Sequence, residues 1–287
     1  MKVRFSLVGL CCALGMLLVA PLSSAQSQRR GAVTVEEDPL DDRLPPGIKV
    51  RAFIHRPRVV EPNHLGTCTA TTDATVTDYG LAGWHLPSVG ITWKLNESSV
   101  PASVGSSAAL AAITTAFDTW SSADPDKIFT DGGKTTVKAT KFDGTNAILW
   151  KRLSPSTIGV TYVWYYTATG EVAEVDTAFN SRYPWAIFSS SGECQSSPDA
   201  YDVQDIATHE FGHWVGLDDL YDDADKDLTM YGFGAGGELK KRTLGTGDAD
   251  GLTQLRPSKI RSIYESCLFL REKGAGETIQ RPLFFLA

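Results

Sequence analysis

The sequence has no excess of basic residues and no internal repeats. Its 27 lysines and arginines are outnumbered by 34 acidic residues, which gives a net charge of -7. A nucleic-acid-binding protein normally presents a basic face, so we expect no nucleic-acid partner. Apolar residues make up 42% of the 287 positions. That is enough for a sizeable core and argues against global disorder, so we expect one catalytic-sized domain with additional segments.

Long hydrophobic runs are missing after the N-terminus. Residues 1–25 have a positively charged start, the apolar stretch Leu7–Leu22 and small residues before a cut after Ala25. This pattern predicts a signal peptide. A membrane anchor, or a lipoprotein using Cys11 or Cys12, is the alternative on the same segment. No later run is long enough to cross a bilayer, so we expect a secreted, extracellular protein without stable membrane association.

Cysteines are few beyond the leader. Only Cys68, Cys194 and Cys267 remain in the mature chain. Disulfides persist outside the cell, so all three are disulfide candidates. One pair and one unpaired thiol is the simplest arrangement, and the sequence leaves the pairing open.

The chain divides into segments of different character. Residues 26–66 are polar, charged and interrupted by prolines, which indicates a propeptide or a linker. Residues 67–257 carry the periodic patterns of a folded domain. Residues 258–287 form a C-terminal tail for which the sequence indicates no role.

The folded part mixes strand and helix patterns. Ile91–Leu95 has the alternation of a strand, and Ser106–Trp120 has apolar residues three and four apart, as in a helix packed on a core. Asp248–Leu255 is typical of a short helix. Between them lie four β-rich runs: TVKAT, AILW, IGVTYVWYY and VAEVDTAF.

The most informative stretch is HEFGHWVGLDD, residues 209–219. We expect a helix here, capped by Asp202, on which His209 and His213 share one face and can bind one zinc ion. Glu210 lies one position away. It can take a proton from a metal-bound water and pass it to the leaving amine.

A catalytic zinc needs a third protein ligand and one open position. Gly216 lets the chain turn back at the end of the helix. Asp219 lies three residues after this glycine and Asp218 lies two after it, and the spacing favours Asp219 as the ligand. Two helical histidines can also occur without a metal, but the full pattern of His, Glu, His, Gly and Asp is rare by chance.

This motif, followed by LTMYG, resembles the metzincin metalloproteases, in the bacterial matrixin type with a snapalysin-like aspartate as third ligand. The segments ITWKLN, AITTAFDTWSS, TGEVAEVDTAFN and GELKKRTLGTGDADGL follow the same order. The resemblance covers residues 80–257. It implies an α+β fold in which a twisted mixed β-sheet packs with about three helices, and a zinc cleft separates upper and lower parts. Met230 would then lie beneath the metal without binding it.

The resemblance implies one catalytic Zn²⁺ and argues against a second, structural zinc. The segment Asp176–Asn180 has alanine where a further histidine ligand would fall, and only His55, His64 and His85 remain elsewhere. The acidic segment Asp222–Asp227 could hold Ca²⁺, although a solvated loop explains it as well. Cys68 could block the zinc in a latent form, but a disulfide is favoured.

The resemblance predicts a secreted, monomeric, zinc-dependent endopeptidase that acts on protein or peptide substrates. We expect the substrate to pair with an edge strand within Ile158–Tyr166. Two other hypotheses stay open: a different hydrolase with the same zinc chemistry, and an exported binding protein with a vestigial metal site. Glu210 argues against the second, because binding zinc alone does not require it.

Overall fold

The computed structural model describes residues 44–58, 68, 75–189, 191–197 and 199–255. Three of the predictions above lie outside these ranges: the signal peptide (1–25), the tail (258–287) and the fate of Cys267. Within the described ranges, none of the helices combines the length and apolarity needed to cross a membrane.

Four α-helices occur among the described residues. They are α1 (Ser106–Ala123), α2 (Ser191–Ser196), α3 (Val203–Val215) and α4 (Thr246–Gln254). The predicted helices are confirmed as α1, α3 and α4, while the six-residue α2 was not predicted. Helix α4 begins two residues earlier than expected, because the Asp248 carboxylate accepts a hydrogen bond from the Gly245 N–H (2.8 Å) and closes its first turn.

Eleven strands occur among the described residues, and five of them have only two residues. They are β1 (Ile48–Pro57), β2 (Gly80–Leu81), β3 (Ile91–Leu95), β4 (Phe129–Lys134), β5 (Asn146–Lys151), β6 (Gly159–Tyr166), β7 (Val172–Asn180), β8 (Trp185–Ala186), β9 (Tyr201–Asp202), β10 (Leu217–Asp218) and β11 (Phe233–Gly234).

The main sheet has seven strands in the order β11-β1-β6-β7-β5-β3-β4. Strands β4, β3, β5 and β7 run parallel to one another, whereas β6 is antiparallel to both β7 and β1. A mixed sheet packed with separate helices is an α+β architecture, as the sequence predicted at this level.

One of the four predicted β-rich runs is not a strand. TVKAT (136–140) forms no strand, because the Val137 backbone bonds to side chains: its C=O accepts from Asn96 Nδ2 (2.7 Å) and its N–H donates to Thr135 Oγ1 (3.2 Å). The sheet edge is formed by β4 instead, whose polar, glycine-containing sequence FTDGGK carries little strand signal.

Part of the range 26–66, predicted as a propeptide or a linker, is folded against the domain. Strand β1 lies in that range, yet it pairs with β6 along Ile48–His55 and is part of the main sheet. The pairing also makes β6 an interior strand. The expected edge strand within Ile158–Tyr166 is therefore not an edge in the folded chain.

Helix α3 packs against both α1 and β6 and is almost entirely buried. The rings of Phe117 and Phe211 stack with centroids 3.7 Å apart, and Trp120 Nε1 donates to the Thr208 carbonyl (2.8 Å). Each buried aromatic ring contributes about 2 kcal/mol through the area it removes from water. The packing fixes α3, and with it every side chain that α3 carries.

Cys68 and Cys194 form a disulfide, with Cα atoms 5.6 Å apart. This settles the pairing that the sequence left open. A sulfur in a disulfide cannot bind a metal as a thiolate, so the zinc-blocking alternative for Cys68 is excluded in the oxidised chain.

Candidate metal centre

Helix α3 is held firmly at both ends. At its start the Asp202 carboxylate accepts a hydrogen bond from the Asp205 N–H (2.9 Å) and pairs with Arg242 (Nε 2.8 Å, Nη2 2.5 Å). At its end Gly216 adopts a left-handed conformation with φ 109°, where a side chain would also meet the Trp84 carbonyl. Both ends are as the sequence predicted.

The two histidines of α3 direct their Nε2 atoms to one place. His209 Nδ1 lies 2.7 Å from the Thr229 carbonyl and His213 Nδ1 lies 2.9 Å from the Leu217 carbonyl. A carbonyl oxygen can only accept, so both Nδ1 atoms carry the proton. In the neutral form of each ring the Nε2 lone pair is then free, which is the arrangement of histidines that bind a metal.

Asp219 joins the histidines and Asp218 does not. Asp219 Oδ1 lies 3.2 Å from His209 Nε2 and 3.5 Å from His213 Nε2. Asp218 points away and forms an ion pair with Arg51, whose Nη2 lies 2.8 Å from both carboxylate oxygens. The chain turn at Gly216 thus brings to the histidines the aspartate that the spacing favoured.

The three ligand atoms fit a cation. Asp219 Oδ1, His209 Nε2 and His213 Nε2 lie within 4.8 Å of one another, are buried, and have no hydrogen-bond partner among the described residues. Leaving such atoms unpaired costs about 1–3 kcal/mol each. A nitrogen lone pair facing a carboxylate oxygen at 3.2 Å is repulsive unless a positive charge lies between them.

Burial and charge shape the protonation of these groups. Burial lowers the pKa of His209 to about 4, so this ring is neutral at pH 7. Burial also acts to lower the pKa of His213, but the Asp219 charge more than reverses it. Burial acts to raise the pKa of Asp219, yet His213 and His209 hold it well below its usual range. A neutral imidazole and an ionised carboxylate are the forms that bind metals.

Glu210 lies beside the three ligand atoms without joining them. Burial raises the pKa of its carboxyl to about 7. Its Oε2 accepts a hydrogen bond from Thr161 Oγ1 (2.6 Å), while Oε1 has no hydrogen-bond partner among the described residues. A carboxyl with a pKa near neutrality and one oxygen free is suited to accept a proton and return it.

A chain of side-chain hydrogen bonds orients Glu210. Trp214 Nε1 donates to Thr177 Oγ1 (2.9 Å), which lies 2.8 Å from Thr161 Oγ1. Because Thr161 donates onward to Glu210, each hydroxyl in the chain has a donor and an acceptor. Gly159 leaves the space that this carboxylate needs, since a Cβ there would lie 2.5 Å from Glu210 Oε1.

Met230 packs against α3 at Gly212. A Cβ added to Gly212 would collide with its Sδ atom, so the sulfur touches the helix between the two histidines. The Asp248 carboxylate holds this segment by accepting from the N–H groups of Thr229 (2.8 Å) and Met230 (3.0 Å). Since the Thr229 carbonyl orients His209, Asp248 supports the ligand set from α4.

Several residues of the site escaped the sequence analysis. Thr161 and Asp248 reach the site only because the fold brings distant parts of the chain together. The sequence contains no local signal for either residue. Tyr221 donates to Asp219 Oδ2 (3.0 Å) and follows the motif by two residues, a position that could have suggested it. His55 lies against the site from β1, and its assignment to a linker hid it.

The acidic segment Asp222–Asp227 folds as a loop with a 3-10 turn at Asp223–Asp225. The Asp222 carboxylate caps this turn by accepting from the Ala224 N–H (3.1 Å). No acidic residue of the segment belongs to either of the two groups of converging ligand atoms found among the described residues. Calcium binding here stays a prediction.

Comparisons with known proteins add no relative. No protein-family model matches the chain. No curated protein matches it significantly. Any functional conclusion must therefore come from the residues and their geometry.

Proposed function

We propose that this chain is a secreted zinc-dependent endopeptidase of the metzincin type, with His209, His213 and Asp219 as metal ligands and Glu210 as general base and acid. The observation that carries the proposal is the convergence of three buried ligand atoms without hydrogen bonds beside a carboxyl with one free oxygen. The metzincin assignment rests on the motif and on the mixed α+β architecture.

Three residues would hold the metal and one would move the proton. The tautomers of His209 and His213, fixed by backbone carbonyls, present their Nε2 atoms, and Tyr221 fixes the Asp219 carboxylate. A bound zinc ion supplies Lewis acidity toward the scissile carbonyl and acidifies water. Three protein ligands leave one tetrahedral position open for that chemistry.

Glu210 performs the proton transfers in this proposal. Its free Oε1 faces the ligand cluster and accepts a proton from the attacking water. The same oxygen then delivers that proton to the amine that leaves when the peptide bond breaks. Thr161 keeps Oε2 engaged throughout, so the carboxyl turns only one oxygen toward the reaction.

The test compares wild type with Glu210→Gln, which keeps the shape of the side chain but cannot accept the proton. Casein turnover should fall by about 10²–10⁴-fold in the variant. Zinc content by metal analysis should stay the same, because Glu210 is not a ligand. Both the intact chain and chain cut between Arg58 and Cys68 are assayed, since β1 lies beside Glu210.

The proposal fails if wild type and Glu210→Gln bind zinc but are equally inactive on casein, before and after the cut. That result would favour an exported binding protein. A hydrolase for another bond type would show Glu210-dependent turnover of ester or amide substrates but none of casein or gelatin.

A further inference from the structure

Strand β1 occupies the position beside β6 where an extended peptide would reach Glu210. Its residues Ile48–His55 pair antiparallel with β6, in register from Tyr166 to Gly159. Its last two residues, Arg56 and Pro57, pair parallel with β11 on the opposite side. The segment is therefore held in extended form between β6 on one side and β11 on the other.

Alternate side chains of β1 cover the metal ligands. Successive strand residues point to opposite faces, so Phe53 and His55 face α3 together. The Phe53 ring stacks on His213 with centroids 4.0 Å apart, and the His55 ring lies on His209 at 3.8 Å. Both side chains are buried, so they separate the ligand histidines from solvent.

His55 is a buried imidazole aimed into the site. Its side chain is 0% exposed, and neither ring nitrogen has a hydrogen-bond partner among the described residues. Nδ1 lies 3.8 Å from Glu210 Oε1, which also lacks a hydrogen bond. One ring nitrogen lies within 4.8 Å of a carboxylate oxygen of Glu210 and of a ring nitrogen of His209, the residue that also belongs to the group with His213 and Asp219. A buried imidazole without a hydrogen bond is costly, and a metal ion bound at a ring nitrogen would remove that cost.

The surroundings of His55 are shaped to admit its ring. A Cβ on Gly234 would lie 2.9 Å from His55 Nε2. The glycine on β11 therefore leaves room for the ring on the side away from Glu210, as Gly159 leaves room for the carboxylate. Two glycines therefore provide the space for the Glu210 carboxylate and the His55 ring, and they lie on β6 and β11, the strands on either side of β1.

We propose that β1 is an internal occupant of the peptide-binding cleft and that His55 closes the metal centre as a fourth protein ligand. A zinc site with four protein ligands has no open position and is structural in type, whereas removal of one ligand opens it. The inference rests on the proposed function. It also defines the substrate geometry: a peptide that replaces β1 runs antiparallel to β6 and parallel to β11.

The way β1 is attached allows it to leave. It precedes Cys68, so the Cys68–Cys194 disulfide does not tie it to the domain once the chain is cut between Arg58 and Cys68. Its outward residues Ile48, Val50, Ala52 and Ile54 are only partly buried. Strand β6 would keep its pairing with β7 and become an edge strand that can accept a peptide.

The first experiment places the recognition sequence of a site-specific protease between Arg58 and Cys68. Hydrolysis of a quenched fluorescent peptide is measured on the intact chain and after cutting and dilution to nanomolar concentration. We expect activity to rise at least about tenfold on cutting, because the tethered strand becomes a dilute competitor. A synthetic peptide of residues 44–58 should inhibit the cut protein, and the same peptide with His55→Ala should inhibit at least about tenfold less well.

The second experiment reads the metal directly, without turnover. The intact chain is loaded with Co²⁺, whose visible absorption reports the number and kind of its ligands. His55→Ala should change the spectrum of the intact chain toward that of the cut wild type. Ile54→Ala is the matched control, because this neighbour faces the opposite side of the sheet and should leave the spectrum unchanged.

The outcomes separate this inference from the proposed function. Any one of three results would overturn the inference and leave the proposed peptidase activity standing. The cut and intact chains could hydrolyse the peptide equally, or the two 44–58 peptides could inhibit equally. The third result is a His55→Ala spectrum equal to that of wild type. If neither form hydrolyses peptides although both bind zinc, the proposed function fails instead. If the His55→Ala chain does not fold, the comparison of the two 44–58 peptides still tests the inference, because both peptides are added to the cut wild-type protein.

Discussion

At the scale of single residues, the two neighbouring aspartates have separate tasks. Asp219 faces both ligand histidines, while Asp218 pairs with Arg51 on β1. One carboxylate belongs to the candidate metal centre, and the other helps to hold the strand that covers it.

We expect Asp219→Ala to weaken zinc binding by more than about 100-fold, because it removes a ligand and not merely a supporting contact. Asp218→Ala should leave zinc affinity close to wild type, since all three ligand atoms remain. Competition with a chromophoric chelator measures both affinities. Loss of zinc in Asp218→Ala with retention in Asp219→Ala would reverse the ligand assignment.

Gly212 is the point where α3 touches Met230. Alanine normally stabilises a helix relative to glycine, by about 1 kcal/mol. Here its Cβ would overlap the Met230 sulfur and press on Trp120, so we expect Gly212→Ala to lower the free energy of unfolding by about 1–3 kcal/mol. Guanidinium unfolding provides the measurement.

The double variant Gly212→Ala/Met230→Ala identifies the cause of that loss. If the clash with the sulfur is responsible, the double variant should be more stable than the sum of the two single effects indicates. Simple additivity would show that Met230 is not the neighbour that limits this position.

At the scale of elements, the stability of α3 depends on the residue that caps its N-terminal end. Asp202 caps the helix and pairs with Arg242, and its side chain is fully buried. We expect Asp202→Ala to cost about 3 kcal/mol, because the cap is lost and the guanidinium keeps no carboxylate partner. Asp202→Asn should cost less, since an amide oxygen still caps the helix. Equal losses in the two variants, measured by urea unfolding, would argue that the cap contributes nothing.

Helix α3 and the placement of its two histidines were predictable because they depend on local chemistry. The four-residue spacing of the histidines, the capping aspartate and the glycine exit all act within one helix and its ends. Strand β1 was missed for a physical reason. IKVRAFIH alternates apolar and other residues as a strand does, but its inward positions include Arg51 and His55, which are usually exposed. The burial of His55 and the partial burial of Arg51 make sense only beside the candidate metal ligands and Asp218, which lie far away in sequence.

The same limit applies to the supporting residues. Thr161 on β6 and Asp248 on α4 contact the site only because the sheet and the helices bring distant parts of the chain together. Neither lies in a local pattern that differs from an ordinary strand or helix start. The α+β architecture was predictable from alternating patterns, whereas the strand order required the tertiary structure.

At the scale of the whole molecule, the Cys68–Cys194 disulfide closes a loop with a sequence separation of 126. We expect the double variant Cys68→Ala/Cys194→Ala to lose about 2–5 kcal/mol of unfolding free energy, because the unfolded chain regains its freedom. Cys267→Ala is the control and should unfold like wild type. Thermal unfolding of all three proteins makes the comparison.

Alkylation under non-reducing conditions checks the pairing itself. The mature chain should take up label at Cys267 alone. A cross-linked peptide that joins Cys267 to Cys68 or Cys194 would contradict the assignment.

The covalent continuity between β1 and the rest of the chain has a consequence for concentration. A segment joined to its binding site competes at an effective concentration of about millimolar, whatever the concentration of the protein. Peptides at micromolar levels therefore cannot displace β1 from the intact chain, and dilution of the protein does not release it. One hydrolysed bond before Cys68 turns the strand into a separate solute that is lost to the surrounding volume. Release of β1 is then irreversible in practice. The fraction of molecules that lose β1 depends on dilution as much as on the strength of the contacts between β1 and the domain.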